Sequence, residues 1–165
     1  MDAWHVDVEG CTNFRDAGGW RRDDGARMRA ATLYRSDDPI RITPAGRRTV
    51  EALGLERVID LRQHSQHARG PGFLSPERTD HVPLVDRVID LDDPPDLDEP
   101  AHITDLYEAM LERSREPLAR VLGLVADHVE RGPVLLHCAY GKDRAGLATA
   151  LIHAAIGLPA EAIAA

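Results

Sequence analysis

Late in this 165-residue chain, the apolar run Val134-Leu135-Leu136 leads into a glycine-containing loop and then a helical stretch from about Ala145 to Ile156. Consecutive apolar residues leave a strand no face for water, so it must be covered on both sides. That requirement selects an α/β domain: a central, mostly parallel sheet flanked by helices. The rest of the pattern agrees. Thr32-Leu33-Tyr34-Arg35 and Val58-Ile59-Asp60-Leu61-Arg62 are predicted strands. Between them, Thr43 is placed to cap a helix with Pro44 at its first position, Val50 and Leu53 on its apolar face, and Gly54 as its stop. A polar, Gly/Pro-rich loop runs to Gly72, followed by the short extended run His81-Val82-Pro83-Leu84. The proline confines that run to a sheet edge or a strand end. From His102 the period becomes helical, with a stripe of Ile103, Leu106, Met110 and Leu111. A second helix is predicted from Pro117, burying Leu118, Val121, Leu122, Val125 and Val129 and ending at Gly132-Pro133.

Length and composition fit one globular domain, with 43% hydrophobic and 29% charged residues. The net charge of −8 argues against nucleic-acid or anionic-membrane binding. Much of it is local: residues 86–100 hold six Asp and one Glu against one Arg. With Pro94, Pro95 and Pro100, this stretch is predicted to be a solvated acidic loop, the alternative being a flap over a site. Thr149, His153, Gly157, Pro159 and Glu161 interrupt the apolar C-terminal stretch, so no integral membrane segment is expected. The N-terminus has no basic or apolar signal-peptide region. Two cysteines, Cys11 and Cys138, make no disulfide framework, and the cytoplasm is the expected compartment, with non-classical secretion as the alternative.

The chemistry is concentrated in His137-Cys138-Ala139-Tyr140-Gly141-Lys142-Asp143-Arg144-Ala145-Gly146, between the apolar strand and the helix. Cys and Arg stand in a Cys-x5-Arg spacing. A tight loop turns successive N–H groups inward as an anion nest, here the amides of Ala139, Tyr140, Gly141 and Lys142. It runs into a helix N-terminus, which adds positive potential. Arg144 can clamp two oxygens of a tetrahedral anion through its planar fork. The same field favours the thiolate at Cys138, on the loop floor. Gly141 permits close backbone approach. These features together suit a thiolate attacking phosphorus in line, without a metal or cofactor. His137 is expected to hydrogen-bond and shape the loop. Of the 20 basic residues one is lysine, Lys142, and it lies inside this loop.

The string HCxxGKDRxG resembles the bacterial protein-tyrosine phosphatases of the HCxxGKDR type, which have dual-specificity and phosphoinositide-phosphatase relatives. Asn13-Phe14-Arg15-Asp16-Ala17-Gly18-Gly19 is similar to that family's NFRDxGG motif, and Leu33-Tyr34-Arg35-Ser36-Asp37 and Ile59-Asp60-Leu61-Arg62 to its LYRSD and DLR segments, in the same order. The resemblance implies hydrolysis of phosphotyrosine, with phosphoserine and phosphothreonine as further substrates, in a phosphorylated protein. A phospholipid headgroup substrate or a catalytically weak phospholigand-binding module are the alternatives. It implies that Lys142 adds substrate-binding charge and that the general acid is Asp143, inside the loop; Asp86 is the second candidate. Asn13, Arg15 and Asp16 are expected to support the loop. Cys11 is read as a bystander thiol rather than a redox partner of Cys138, and His64 and His67 as loop surface rather than metal ligands. Two departures stand out. Ala145 follows the loop arginine where a hydroxyl residue often does, and Gln63-His64-Ser65-Gln66-His67 has no Glu where the family tends to place one after DLR. Because the family continues with further helices beyond Pro159, the single domain 1–165 is expected to be a C-terminally truncated form.

Overall fold

The computed structural model describes residues 4–70, 72–84 and 100–164, with backbone only for 100–103. The acidic stretch and Asp86 therefore lie outside the described residues, except Pro100. That proline heads a helix rather than closing a loop, a position its fixed φ suits.

Five strands form one sheet: β1 (Arg15–Asp16), β2 (Leu33–Ser36), β3 (Arg57–Asp60), β4 (Thr79–His81) and β5 (Val134–His137). Their order is β1-β2-β5-β3-β4. Every pairing is parallel except β1 with β2. The apolar run is thus the central strand, as its lack of a polar face requires. β4 is an edge, and it stops before Pro83. The expected Thr32–Arg35 strand is displaced by one residue. The NFRD segment, read only as loop support, supplies the short antiparallel edge β1.

The helices are α1 (Pro44–Ala52), α2 (His64–His67), α3 (Pro100–Arg113), α4 (Arg115–His128), α5 (Asp143–Ala155) and α6 (Ala160–Ala164). Thr43 accepts from the Gly46 amide and caps α1. α2 is a single turn inside the stretch expected to be loop. α3 and α4 abut with only Ser114 between them, so the second helix begins before Pro117, which fits within its first turn.

Strand alternation sorts the core into two layers. Leu33, Ile59, Val134, Leu136 and Cys138 face α4 and α5, with Leu118, Val121, Ala148 and Ile152. Tyr34, Val58 and Leu135 face the other way, with Phe14, Val50, Leu55 and Phe73. Ser36 and Asp60 both pair with His137, so β2, β5 and β3 end level. In a parallel sheet, the carboxyl ends of the strands are where ligands bind. The Cys138 loop emerges there.

Candidate active site

The loop from Cys138 to Lys142 is held from outside by its carbonyls. Asp38 N–H donates to Ala139 O (3.2 Å). Asn13 Nδ2 donates to Tyr140 O (2.8 Å). Arg35 donates to Gly141 O through Nε (3.2 Å) and Nη2 (2.8 Å), and to Lys142 O (3.3 Å). Gly146 N–H also donates to Lys142 O (2.9 Å). Across a planar trans peptide, the following N–H points opposite its carbonyl. Carbonyls pulled outward at 139–142 therefore turn the amides of 140–143 inward. Among the described residues, no backbone carbonyl accepts from the amides of 139–144. These are the donors of an anion nest.

Gly141 is required there. Its φ is +65°, and a Cβ would lie 2.4 Å from Ser36 C and 2.5 Å from Asp37 N. Asp37 braces the same wall, accepting from Thr12 N (2.9 Å), Thr12 Oγ1 (3.0 Å) and Asn13 N (3.1 Å). Asn13 Oδ1 in turn accepts from Arg15. The NFRD and LYRSD segments thus form a buttress around the loop, and Arg35 is its principal tie. Its guanidinium also packs against Gly146 of α5 (3.3 Å to an ideal Cβ).

Cys138 is 2% exposed at the loop floor, and Ala145 behind it is fully buried. Arg144, on the first turn of α5, donates from Nη1 to Gln66 Oε1 (2.9 Å) and Leu61 O (3.4 Å). Gln66 lies in the post-DLR stretch that lacks the family's Glu. A neutral amide, not a carboxylate, therefore holds the Arg144 guanidinium.

The path that brings Gln66 there is set by a buried ionic knot. Arg62 and Asp60 are both fully buried and paired, Nε to Oδ1 at 3.0 Å and Nη2 to Oδ2 at 2.7 Å. His67 Nδ1 meets Asp60 Oδ2 at 2.8 Å. Burial works against charge on Asp60, but the Arg62 hydrogen bonds, the nearby His137 and the His67 bond outweigh it. The carboxyl is held well below the usual carboxylate range. His67 stacks on His81, ring centroids 4.0 Å apart, so the two histidines expected at a loop surface belong to this knot in part. Among the described residues no group of His, Cys, Asp and Glu side chains could hold a metal ion.

His137 stands behind the loop, next to Cys138 in sequence. Alternation turns it to the face opposite Cys138, fully buried and edge-on to Phe73. Its ring faces the Cys138 backbone, a contact that favours its charged form, and Nε2 lies 3.6 Å from Asp60 Oδ2. Burial lowers its pKa to about 4, with Asp60 opposing, so the ring is neutral. It fills space behind the loop.

Asp143, the first residue of α5, is half-buried and accepts a hydrogen bond from Tyr107 Oη of α3 (2.6 Å). Lys142 is exposed beside it, in a polar hollow shared with Thr12, Asn13, Arg15, Arg35 and Tyr140. Tyr140 stands at the rim, 76% exposed. The four residues that sequence reasoning missed are Arg35, Asp37, Gln66 and Tyr107. Arg35 had a signal, a charge inside a predicted strand; so did Tyr107, one turn from both Ile103 and Leu111 on an otherwise aliphatic stripe. Cys11 and Cys138 are both free thiols. Burial, reinforced by Asp37, pushes the Cys11 thiol up to about 12.

A cysteine on the floor of an amide-lined loop, followed at the sixth position by an arginine on a helix's first turn, defines the structural class of the cysteine-dependent phosphatases. The chain belongs to the tyrosine phosphatase family, whose model matches residues 6–165. It is 31% identical over 188 aligned positions to the triple specificity protein phosphatase PtpB of Mycobacterium tuberculosis, covering 95% of this chain and 66% of that one. It is 30% identical over 135 positions to a tyrosine-protein phosphatase of Nostoc commune, covering 79% and 45%. The chain thus spans between about half and two thirds of the length of these curated relatives. Crystal structures of Pseudomonas aeruginosa TpbA share the fold. One superposes with a TM-score of 0.55 at 21% identity, over 99% of this chain and 77% of that one. Another, of a TpbA variant in complex with pTyr, gives 0.53 at 20% identity, over 99% and 76%. No helix among the described residues is long and apolar enough to cross a membrane.

Proposed function

We propose that this protein is a cysteine-dependent phosphomonoesterase acting on phosphotyrosine through a phosphocysteine intermediate. The observation that carries this reading is the outward tethering of four successive loop carbonyls, which leaves their amides to an anion above Cys138. The Cys138 thiolate forms an S–P bond as the bond from phosphorus to the tyrosyl oxygen breaks. Asp143 gives that oxygen its proton. The loop amides and Arg144 hold the charge on the equatorial oxygens, donors that need no reorganisation as charge develops. Water then attacks phosphorus, returns a proton to Asp143, and the S–P bond breaks to release phosphate and the thiolate. Tyr140 offers an exposed ring face to the substrate's aryl group, and TpbA has been crystallised with pTyr.

A second reading, a phosphoinositide headgroup, is favoured by one observation. Arg15, Arg35 and Lys142 line the hollow beside the loop, where a second phosphate would find cations. Comparing kcat/KM for phosphotyrosyl peptides with that for phosphoinositides separates the two. Cys138→Ser is expected to abolish hydrolysis of para-nitrophenyl phosphate, and a chelator to leave the wild type active. Activity that survives the substitution, or that is lost to the chelator, contradicts the mechanism.

A further inference from the structure

We propose that Tyr107 is a positioning residue for the general acid: its phenol occupies Asp143 Oδ1 and confines the acid's proton to Oδ2. This rests on the reading of Asp143 as the proton donor. The hydrogen bond is 2.6 Å long and joins side chains 36 residues apart in sequence, on two different helices. A carboxylic acid has two oxygens and one proton, and only one oxygen is useful to the leaving group. Asp143 opens α5, and its side chain accepts from Tyr107 of α3. The carbonyl oxygen of a carboxylic acid is a better acceptor than its hydroxyl oxygen, so a donor fixed on Oδ1 favours the proton on Oδ2. What remains is one oxygen, one proton and one orientation, set by α3.

The chemistry of the phenol fits this role. Burial, and then the bond to Asp143, push Tyr107 up to about 12. It therefore remains a donor over the working range and does not compete for the acid's proton. The other charged and titratable groups around the pair come from each neighbouring element. Arg35 of β2 and Cys138 of the loop act on Tyr107, Arg15 of β1 acts on Arg35, and Lys142 and Arg144 flank Asp143 in sequence. None of these donates to Oδ1 among the described hydrogen bonds.

The test is the pH dependence of kcat/KM for phenyl phosphate and for para-nitrophenyl phosphate. The basic limb reports deprotonation of the acid. Tyr107→Phe deletes a donor to the carboxylate and should move that limb upward. It should also lower kcat more for phenyl phosphate, whose leaving group needs the proton more. The wild-type and variant profiles then cross, which a merely structural defect cannot produce. A ring-monofluorinated tyrosine at position 107 keeps the shape, strengthens the donor, and should move the limb the opposite way; it decides the matter if Tyr107→Phe misfolds. An unmoved limb in both overturns the inference. Asp143→Asn distinguishes the two levels. If it abolishes the limb while the Tyr107 changes do nothing, the acid stands and the positioning role falls. If the limb persists in Asp143→Asn, the acid itself is wrongly assigned.

Discussion

At the scale of single residues, the site works through constraint more than through reactive groups. Gly141 illustrates this. Gly141→Ala would force a Cβ to within 2.4 Å of Ser36 C at a φ of +65°. The loop must shift, so the expected result is a loss of roughly 100-fold in kcat/KM, because a displacement of about 1 Å is enough for that. Circular dichroism should still report a folded chain. Gln66 makes a complementary point. It steers Arg144 without neutralising it. Gln66→Glu sets a carboxylate against the clamp, and the bound phosphate dianion then meets a partly quenched cation. The expected outcome is a KM for para-nitrophenyl phosphate raised roughly tenfold with kcat little changed, the pattern of binding lost equally from ground and transition states. An unchanged KM would mean that the arginine turns away from Gln66 when phosphate binds.

At the scale of elements, the loop depends on what β2, α2 and α3 bring to it. β2 delivers Arg35 to two loop carbonyls, and the Asp60–Arg62–His67 knot pins α2 where Gln66 reaches Arg144. Asp60→Asn would leave the buried guanidinium of Arg62 with only the more distant Asp38 carboxylate, 3.9 Å away, as counter-charge. Breaking such a pair by removing one partner costs about 3–5 kcal/mol, so a large fall in Tm is expected by thermal denaturation. The same elements mark where sequence reading succeeded and stopped. The central strand was legible because Val134-Leu135-Leu136 has no polar position, and α1 because Thr43-Pro44 and Gly54 punctuate it. The edge position of β4 followed from Pro83. The strand order did not follow, since alternation says which face is buried but not which neighbour lies beside it. The two-residue β1 is too short to show a period. Within the candidate site, Cys138, Asp143 and Arg144 stand together in sequence because they share one loop. Arg35, Tyr107 and Gln66 act across separations of 106, 36 and 78 residues, and no local pattern encodes such contacts. Adjacency in a strand means opposite faces, so His137 and Cys138 point apart although they are neighbours in sequence.

At the scale of the whole molecule, the acidic balance and the phosphate site coexist because the site's positive potential is built from local amides and a few placed cations. Net charge of −8 describes the surface at large. Stability should depend on pH through the buried knot. His137 is neutral when folded, with a pKa lowered to about 4 against 6.5 for an exposed histidine. The unfolded chain therefore binds the proton first, so stability is fully present above about 6.5 and is lost as pH falls towards 4. Asp60 acts in the same direction lower down. Its depressed folded pKa contributes stability above the ordinary carboxylate range, and that contribution disappears on further acidification. Thermal melts from pH 8 to pH 4 should show Tm falling, roughly from pH 6.5 downward, and His137→Phe should flatten the upper part of that decline. The central claim is that the substrate's phosphoryl group passes to Cys138 in this loop. Rapid-quench mass spectrometry during para-nitrophenyl phosphate turnover tests it most directly. The account predicts that Cys138 gains the mass of one phosphoryl group, that the adduct persists because Ala145 offers no hydroxyl to the departing thiolate, and that it is absent from Cys138→Ser. Turnover by the wild type with no adduct at any quench time, matched by undiminished turnover in Cys138→Ser, would contradict it.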